Sequence, residues 1–268
     1  MVGLNGFVIM CDLKGKVTLI TGASSGIGAA TAVLFARLGA KLALTGRNEA
    51  NLQRTMEKCV RVRPDTEQPL LVIADMCSEA DVARLVDTTV KKFGRLDILV
   101  NNAGIVEFGT IETTYLEQYD RVMNVNVREV YQLTMLCVPH LIATCGNVVN
   151  VSSIAGTRPF PKTLAYSMAK AAVDQMTSCT ALELAAKGVR VNSVNPGVIV
   201  TEIQKRGGMS DDAYAKFLER FKTTHPLGRV GDAEEVAQGI AFLASGNASF
   251  VTGEHLHVDG GRYATCLR

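Results

Sequence analysis

Apolar runs alternate with helix-length patterns along this chain, and this alternation limits the fold more than any other feature. The seven runs lie at 17–20, 41–45, 70–74, 96–100, 147–151, 189–194 and 255–258. Because these runs lack regular hydrophobic alternation, they are typical of strands buried on both faces of a parallel sheet. Helical patterns occupy 27–38, 49–60, 79–93, 114–143, 164–186 and 232–244. This order predicts an α/β fold: one doubly wound parallel sheet of about seven strands, with helices on both faces and ligands at the C-terminal edge of the strands.

A glycine-rich turn joins the first predicted strand to the first predicted helix. The segment Thr21–Gly28 reads TGASSGIG and follows the apolar run at 17–20. In this context the pyrophosphate of a dinucleotide can rest on the N-terminus of the helix. Gly22 permits a tight turn, Gly26 allows phosphates to approach closely, and Gly28 lets the helix pack on the strand. The glycine spacing is GxxxGxG and differs from the more familiar GxGxxG.

A tyrosine and a lysine lie four residues apart in a later predicted helix. Tyr166 and Lys170 therefore share one helix face and can address the same point. A free tyrosine has a pKa of about 10 and is a poor acid–base catalyst at neutral pH. A cation a few ångströms away favours the phenolate and lowers that pKa toward the working pH. The spacing alone also fits a surface tyrosine beside a solvated lysine, and only the accompanying motifs favour an acid–base pair.

Together these motifs resemble those of the short-chain dehydrogenase/reductase family. The chain carries the TGxxxGxG turn at 21–28, an NNAG motif at 101–104, the YxxxK pair at 166–170, and a Pro-Gly motif at 196–197 followed by Thr201. The family's serine precedes its tyrosine by thirteen residues, which selects Ser153 over Ser152. The resemblance covers Leu13 to Gly261, nearly the whole chain.

The resemblance implies a Rossmann-like fold and an oxidoreductase that transfers a hydride between NADP(H) and a carbonyl or secondary alcohol. Tyr166 is then the general acid/base, and Lys170 lowers its pKa and binds the nicotinamide ribose. Ser153 hydrogen-bonds the substrate oxygen where charge develops. Asn126 holds a water that connects Lys170 to solvent, with Asn124 as the competing candidate. The alternative function is a catalytically idle NADP-binding or scaffold protein that kept the fold.

The end of the second predicted strand bears on the choice of cofactor. Chains that prefer NAD usually place a carboxylate about twenty residues after the glycine turn, where it binds the adenine ribose. Here that position is Gly46, followed by Arg47, whose guanidinium can bind a 2′-phosphate. Ser24 and Asn48 are expected to add hydrogen bonds to the same phosphate. NADP(H) is therefore the preferred cofactor, with NAD(H) as the alternative.

The family pattern extends the expected cofactor site along the chain. Asp75 follows the third strand, where the family's acidic residue contacts the adenine ring. Ile199 and Thr201 are expected to frame the nicotinamide carboxamide. The complete expected cofactor-binding set is Gly22, Ser24, Ser25, Gly26, Ile27, Gly28, Arg47, Asn48, Asp75, Asn102, Ala103, Gly104, Tyr166, Lys170, Pro196, Gly197, Ile199 and Thr201. No metal site is expected.

One domain is expected over residues 13–262. Its strands and helices alternate strictly except in the segment 201–226. This segment contains adjacent glycines at 207–208 and an amphipathic stretch, and it matches the family's variable substrate lid. Its apolar side chains predict one wall of a substrate pocket, formed by Ile203, Met209, and Phe217 or Phe221. The segment between Ser153 and Tyr166 is expected to add Ile154, Thr157, Phe160 and Leu164, and this mixture suits a neutral carbonyl or secondary alcohol.

The amino-acid composition limits which binding partners and which cell compartment are expected for this chain. A formal net charge of +2 without blocks of like charge gives no electrostatic basis for binding nucleic acid or an anionic membrane. No run approaches the roughly 20 apolar residues of a membrane-spanning helix. The seven cysteines form no CxxC motif, which favours free thiols in a reducing compartment. Residues 1–9 lack a basic signal-peptide region, and Met10 is an alternative start. We therefore expect a cytoplasmic protein.

The two longest predicted helices, 114–143 and 164–186, are too apolar for ordinary surface helices. In the family that the motifs resemble, these helices form a four-helix contact between subunits, and a second contact near the C-terminus completes a tetramer. Burial inside the monomer is the other explanation for their composition. A homotetramer is the expectation.

Overall fold

A computed structural model of the protein describes residues 11–65 and 67–265. The alternative start Met10, the preceding residues 1–9 and Cys266 lie outside the described residues. The strands are β1 (Val17–Ile20), β2 (Lys41–Gly46), β3 (Leu70–Ile73), β4 (Ile98–Asn101), β5 (Asn147–Val151), β6 (Arg190–Pro196) and β7 (His255–Val258). Each begins and ends within two residues of a predicted apolar run.

All seven strands form one parallel sheet in the order β3-β2-β1-β4-β5-β6-β7. The order reverses between β1 and β4, so the connections run outward in both directions from this point. In such sheets the crevice at the carboxyl ends of the strands is where ligands bind. Every residue of β1, β4 and β5 is buried, as expected for strands of a parallel sheet that is covered on both faces. The predicted doubly wound α/β fold is confirmed.

Helices cover both faces of the sheet. They are α1 (Gly26–Arg37), α2 (Glu49–Val62), α3 (Glu79–Phe93), α4 (Leu116–Met123), α5 (Glu129–Thr144), α6 (Leu164–Ala185), α7 (Ile203–Arg206), α8 (Asp211–Lys222) and α9 (Ala233–Ala244). Helices α1, α2 and α9 pack on one face, where Phe35 and Ile240 are fully buried. Helices α3, α5 and α6 pack on the other, where Leu85 and Leu133 are fully buried.

The predicted helix over 114–143 is interrupted in the structure. Between α4 and α5 the chain forms a π-helical turn over Asn124–Arg128. Such turns insert one extra residue into a helix and often occur at functional sites. The turn leaves the Val122 carbonyl to accept a hydrogen bond from the Asn126 side chain at 2.9 Å. An apolar pattern carries no sign of this local change in hydrogen bonding.

The segment 201–226 contains α7 and α8, which lie outside the regular alternation. Tyr214 of α8 anchors the segment, because its hydroxyl donates to the Thr201 carbonyl at 2.9 Å and accepts from the Thr201 amide at 3.2 Å. None of the helices within the described residues is long and apolar enough to cross a membrane. The six cysteines in the described part of the chain are all free.

Candidate active site

A cleft of about 660 Å³ lies at the carboxyl ends of the strands. Its walls come from the turn after β1, the ends of β2 to β6, the N-terminal part of α6, and α7. The expected site residues that line it are Gly22, Ser24, Ser25, Gly26, Ile27, Arg47, Asn48, Asp75, Asn102, Ala103, Gly104, Ser153, Tyr166, Lys170, Pro196, Gly197, Ile199 and Thr201. The two remaining expected residues, Gly28 and Asn126, support the cleft from behind.

The glycine-rich turn is shaped by close backbone contacts. Gly22 has a φ of 63°, and a Cβ there would lie 2.8 Å from the Asn102 side chain. At Gly28 a Cβ would come within 2.5 Å of the Gly22 carbonyl oxygen. Asn102 closes the turn by donating to the Thr21 carbonyl at 2.8 Å. The NNAG motif therefore fixes the turn, and only glycine fits where the turn and helix α1 meet.

The N-terminus of α1 is open to an anion. Ser25 is its N-cap residue, yet its side chain caps no backbone amide, and the first turn of α1 contains no acidic residue. Helices α2, α3 and α8 are instead capped by Asn48, Ser78 and Ser210. The first N–H groups of a helix need partners, and its dipole favours negative charge there. Together with the glycine cradle, this open terminus fits the pyrophosphate of a dinucleotide.

The adenosine side of the cleft carries a cation and no carboxylate at the end of β2. A Cβ at Gly46 would lie 3.1 Å from the Ser24 hydroxyl, so position 46 is closely packed against the turn. Arg47 is exposed, and within the described part of the chain it forms no ion pair. Its guanidinium is therefore available to an anionic group of a ligand.

Three expected catalytic side chains meet in the cleft. Tyr166 and Lys170 face it from the start of α6, and Ser153 faces it from the end of β5. The Lys170 Nζ lies 5.7 Å from the centre of the Tyr166 ring and donates to the Val151 carbonyl at 2.9 Å. Desolvation by burial lowers the pKa of Lys170 to about 8.

The pKa of Tyr166 differs from the expectation that Lys170 lowers it. Burial raises the pKa of the Tyr166 phenol above its usual value, a hydrogen bond with Ser153 lowers it, and the charge of Asp174 raises it further. The physical reason is that desolvation disfavours the phenolate, and the Lys170 ammonium bonds to a backbone carbonyl. At neutral pH the phenol is therefore protonated.

Asn126 lies behind the cleft, fully buried in the π-helical turn. Its side chain donates to the Ile105 carbonyl at 3.0 Å and accepts from the Ile105 amide at 3.2 Å. A Cβ at Gly104 would lie 2.8 Å from Asn126 Oδ1 and 3.7 Å from Lys170 Nζ. Asn126 therefore fixes the loop beside Lys170, and Gly104 lets the amide and the ammonium lie close together.

A buried polar network, which the motifs did not indicate, supports the catalytic side chains. Asn195 donates to the Ser153 carbonyl at 3.1 Å and to Asp174 Oδ2 at 2.9 Å. His255 reaches the same carboxylate, with Nδ1 3.7 Å from Oδ1. Because Asp174 lies one turn after Lys170 on α6, this network ties the loop of Ser153 to the helix of Tyr166. Sequence alone places these residues on separate elements and gives no sign that they meet.

Glu129 is another residue that the motifs did not indicate. It lines the cleft while only 4% exposed, and its Oε1 has no hydrogen-bond partner within the described structure. Burial raises its pKa to about 8, with a further increase from Asp75 that Arg47 and Lys170 oppose. The one sequence feature that pointed to Glu129 as a cleft residue was its position three residues after Asn126, in the first turn of α5.

The expected apolar wall of the lid is only partly present. Ile203 lines the cleft, whereas Met209, Phe217 and Phe221 do not. The Phe217 and Phe221 rings pack together with centres 4.4 Å apart, and the Arg262 guanidinium lies 4.3 Å from the Phe221 centre. These aromatic side chains therefore stabilise α8 against the C-terminal segment. Within the described residues, no cluster of His, Cys, Asp and Glu has the arrangement of a metal site.

Comparison with known proteins decides the family. Residues 22–262 match the family model described as enoyl-(acyl carrier protein) reductase. The chain is 40% identical over 250 residues to 3-oxoacyl-(acyl-carrier-protein) reductase of Thermotoga maritima, covering 93% of this chain and 98% of that protein. The chain is a short-chain dehydrogenase/reductase. It is accordingly an enzyme, an oxidoreductase.

Two solved structures extend this likeness to three dimensions. A short-chain dehydrogenase/reductase of Caenorhabditis elegans, determined with its cofactor, is 38% identical with a TM-score of 0.89, covering 95% of this chain and 97% of that chain. The 3-ketoacyl-(acyl-carrier-protein) reductase of Brucella melitensis, complexed with NADH, is 36% identical with a TM-score of 0.85, covering 94% of this chain and all of the other. The short-chain dehydrogenase/reductase fold therefore extends over nearly all of the chain.

Proposed function

We propose that this short-chain dehydrogenase/reductase reduces a neutral carbonyl with NADPH, or oxidises the corresponding alcohol with NADP⁺. The observation that carries the proposal is that Ser153, Tyr166 and Lys170 converge in a cleft that also contains an open helix terminus and Arg47. When bound, the dinucleotide supplies the hydride. The protein must then bind the substrate oxygen and provide a proton.

Tyr166 provides that proton. Its phenol is protonated at neutral pH, and burial raises its pKa further above neutrality. Ser153 hydrogen-bonds the same substrate oxygen and stabilises the charge that develops on it, a contribution that is large in a site with little water. Lys170 holds the nicotinamide ribose and supplies positive charge near the phenol. Proton exchange with solvent through a water held beside Asn126 and Lys170 would restore the phenol after each turnover.

Several features favour NADP(H) over NAD(H). Among the described residues Arg47 has no ion-pair partner at the end of β2, and Gly46 leaves no carboxylate to repel a 2′-phosphate. Arginine binds phosphate through two parallel hydrogen bonds, whereas an unphosphorylated ribose offers no such partner. The relative from Brucella melitensis complexed with NADH is the reason to measure both cofactors.

The substrate class follows from the open side of the cleft. Ile203 and Ile199 contribute apolar surface there, next to the polar Gln204. We propose that residues 201–226 form a lid over this side, hinged near the glycines at 207–208, within a single domain over 13–262. A neutral ketone or secondary alcohol fits such a mixed surface, since the substrate needs no counter-ion to enter it.

We also propose that the chain forms a homotetramer. Tyr131 and Met135 on α5 are 59% and 52% exposed, and Leu182 on α6 is 82% exposed. Large apolar side chains in rows on two long helices favour burial against another copy. The free cysteines in the described part of the chain favour a reducing compartment, and we propose the cytoplasm.

The test combines binding with turnover. NADPH and NADH are titrated by fluorescence, and NADPH oxidation is then followed against neutral ketones, quinones, steroids and retinal. We expect tighter binding of NADPH than NADH, with turnover of at least one carbonyl. Binding without any turnover in either direction would favour the catalytically idle NADP-binding protein, and failure to bind either nucleotide would refute the proposed activity.

A further inference from the structure

Arg206, the last residue of α7, spans the cleft from the proposed lid to the glycine-rich turn. Its Nη2 donates a hydrogen bond to Ser25 Oγ at 2.9 Å, and both residues line the cleft. The two positions are 181 residues apart in sequence. No motif predicted this contact, because the lid lies outside the patterns that indicate a dinucleotide site.

The charge of Arg206 is uncompensated. Within residues 11–65 and 67–265 its guanidinium forms no ion pair, and Ser25 is neutral. The adjacent Lys205 differs, since its ammonium lies 2.8 Å from Asp211 and 4.0 Å from Glu202. Lys205 also does not line the cleft. Of these two neighbouring cations, only Arg206 faces the cleft with its charge available to a ligand.

The backbone around Arg206 is held close to the cofactor side of the protein. A Cβ at Gly207 would lie 2.5 Å from the Val106 carbonyl oxygen, so the end of α7 packs directly on the loop after β4. A Cβ at Gly26 would lie 3.2 Å from the Thr201 side chain, which brings the start of the lid against the glycine turn. The guanidinium is thus directed at the turn by close packing on both sides of α7.

Two independent features therefore meet at Ser25. One is the open N-terminus of α1, which has neither a side-chain cap nor an acidic residue in its first turn. The other is the Arg206 guanidinium, which contacts the residue that begins this helix. Backbone N–H groups and a planar cation that meet at one residue are complementary to a doubly charged pyrophosphate.

We propose that Arg206 is a further cofactor-binding residue, which the lid contributes to the pyrophosphate of the dinucleotide. The inference rests on the proposed function and deepens it. The segment that covers the substrate side then also binds the cofactor, so nucleotide binding stabilises the lid in its closed position. Ser25 holds the guanidinium in place until the phosphates accept its hydrogen bonds.

The direct test replaces Arg206 and measures nucleotide affinity without turnover. Fluorescence titrations with NADPH and NADH are carried out on the wild type, Arg206→Gln, Arg206→Lys and the control Lys205→Gln. We expect Arg206→Gln to weaken both nucleotides by the same factor, about tenfold, as for loss of one exposed charge-assisted hydrogen bond. Arg206→Lys keeps the charge but loses the planar fork, so its loss should be smaller. Lys205→Gln should bind as the wild type does.

Salt dependence and a second variant separate phosphate binding from a simple lid contact. A direct ionic contact weakens as salt rises, so the affinity of the wild type should fall more steeply with salt than that of Arg206→Gln. Ser25→Ala removes the hydroxyl that Arg206 contacts. If Arg206 binds phosphate, Arg206→Gln still weakens binding in the Ser25→Ala background. If Arg206 only fastens the lid to Ser25, Arg206→Gln causes no further loss of nucleotide affinity in the Ser25→Ala background, and the proposal is wrong.

The remaining outcomes are also decisive. Unchanged affinity in Arg206→Gln would overturn the inference while leaving the proposed function intact, provided that the wild type binds NADPH. A loss confined to NADPH would assign Arg206 to the 2′-phosphate instead and would contradict the pyrophosphate contact. Failure of the wild type to bind either nucleotide refutes the proposed function itself. Thermal unfolding of each unliganded variant verifies that it is folded.

Discussion

Lys170 and Tyr166 face the same cleft, yet the lysine directs its hydrogen bond elsewhere. Its Nζ donates to the Val151 carbonyl at 2.9 Å and lies 5.7 Å from the centre of the tyrosine ring. Burial raises the phenol pKa, and burial also lowers the pKa of the lysine to about 8. The phenol is therefore protonated at neutral pH, the state that its proposed role in carbonyl reduction requires.

Replacing Tyr166 tests that role. We expect Tyr166→Phe to lower kcat by about 10²- to 10⁴-fold, the usual contribution of general acid catalysis, while NADPH affinity changes little. Tyr119→Phe is a matched control, because Tyr119 packs against the same small cluster but does not line the cleft. Steady-state kinetics with parallel nucleotide titrations provide both readouts. A Tyr166→Phe enzyme with a near-normal rate would remove the phenol from the mechanism.

Cofactor preference depends on Arg47. Arg47→Asp removes the attraction for a 2′-phosphate and adds repulsion, so we expect the ratio of NADPH to NADH affinity to fall by roughly 10- to 100-fold. Arg54→Asp makes the same change of charge on α2 at an exposed residue that does not line the cleft. Titrations of both variants with both nucleotides measure the effect. Unchanged selectivity in Arg47→Asp would mean that other groups hold the 2′-phosphate.

The sheet was predictable from the sequence because strands buried on both faces of a parallel sheet are rich in apolar residues and lack regular hydrophobic alternation. Strand β5 (Asn147–Val151) coincides with its predicted range. The turn at 21–28 was equally clear, since only glycine fits its close contacts. The interruption of the helix over 114–143 was not predictable, because a π-helical turn changes hydrogen bonding without changing the apolar pattern.

Site properties that depend on the sequence spacing of residues were predictable. Properties that depend on burial were not. The four-residue spacing of Tyr166 and Lys170 placed both side chains in the cleft. Their acidities depend on desolvation, which spacing does not report, and so the expected lowering of the phenol pKa was wrong for this structure. Arg206 and Glu129 reach the cleft only through tertiary packing, and neither belongs to a recognisable motif.

Assembly is testable on the apolar rows of α5 and α6. Met135→Glu places a charge on a side chain that is 52% exposed in the single chain. Burying an unpaired carboxylate between subunits is costly, so we expect smaller assemblies by light scattering after size exclusion. Ile73→Glu, at the exposed end of β3, is the control and should leave the assembly unchanged. A wild-type monomer would contradict the proposed tetramer.

Glu129 should make stability depend on pH. Its pKa rises from 4.5 to about 8 on folding, mainly through burial. Between these values the unfolded chain has released the proton and the folded chain retains it, so the free energy of unfolding falls as pH rises. The loss should be on the order of a few kcal/mol, since each unit of pKa shift corresponds to about 1.4 kcal/mol.

Glu129→Gln isolates this contribution, because glutamine has a similar shape and does not titrate. Denaturant unfolding from pH 5 to pH 8 should show a shallower loss of stability in Glu129→Gln than in the wild type. Glu79→Gln, at an exposed residue of α3, serves as the control and should follow the wild-type profile. Lys170 contributes to the pH dependence of stability mostly above pH 8, because its pKa moves from 10.5 to about 8 on folding. Parallel profiles for wild type and Glu129→Gln would mean that Glu129 is ionised in the folded protein, and that Arg47 and Lys170 compensate for its burial.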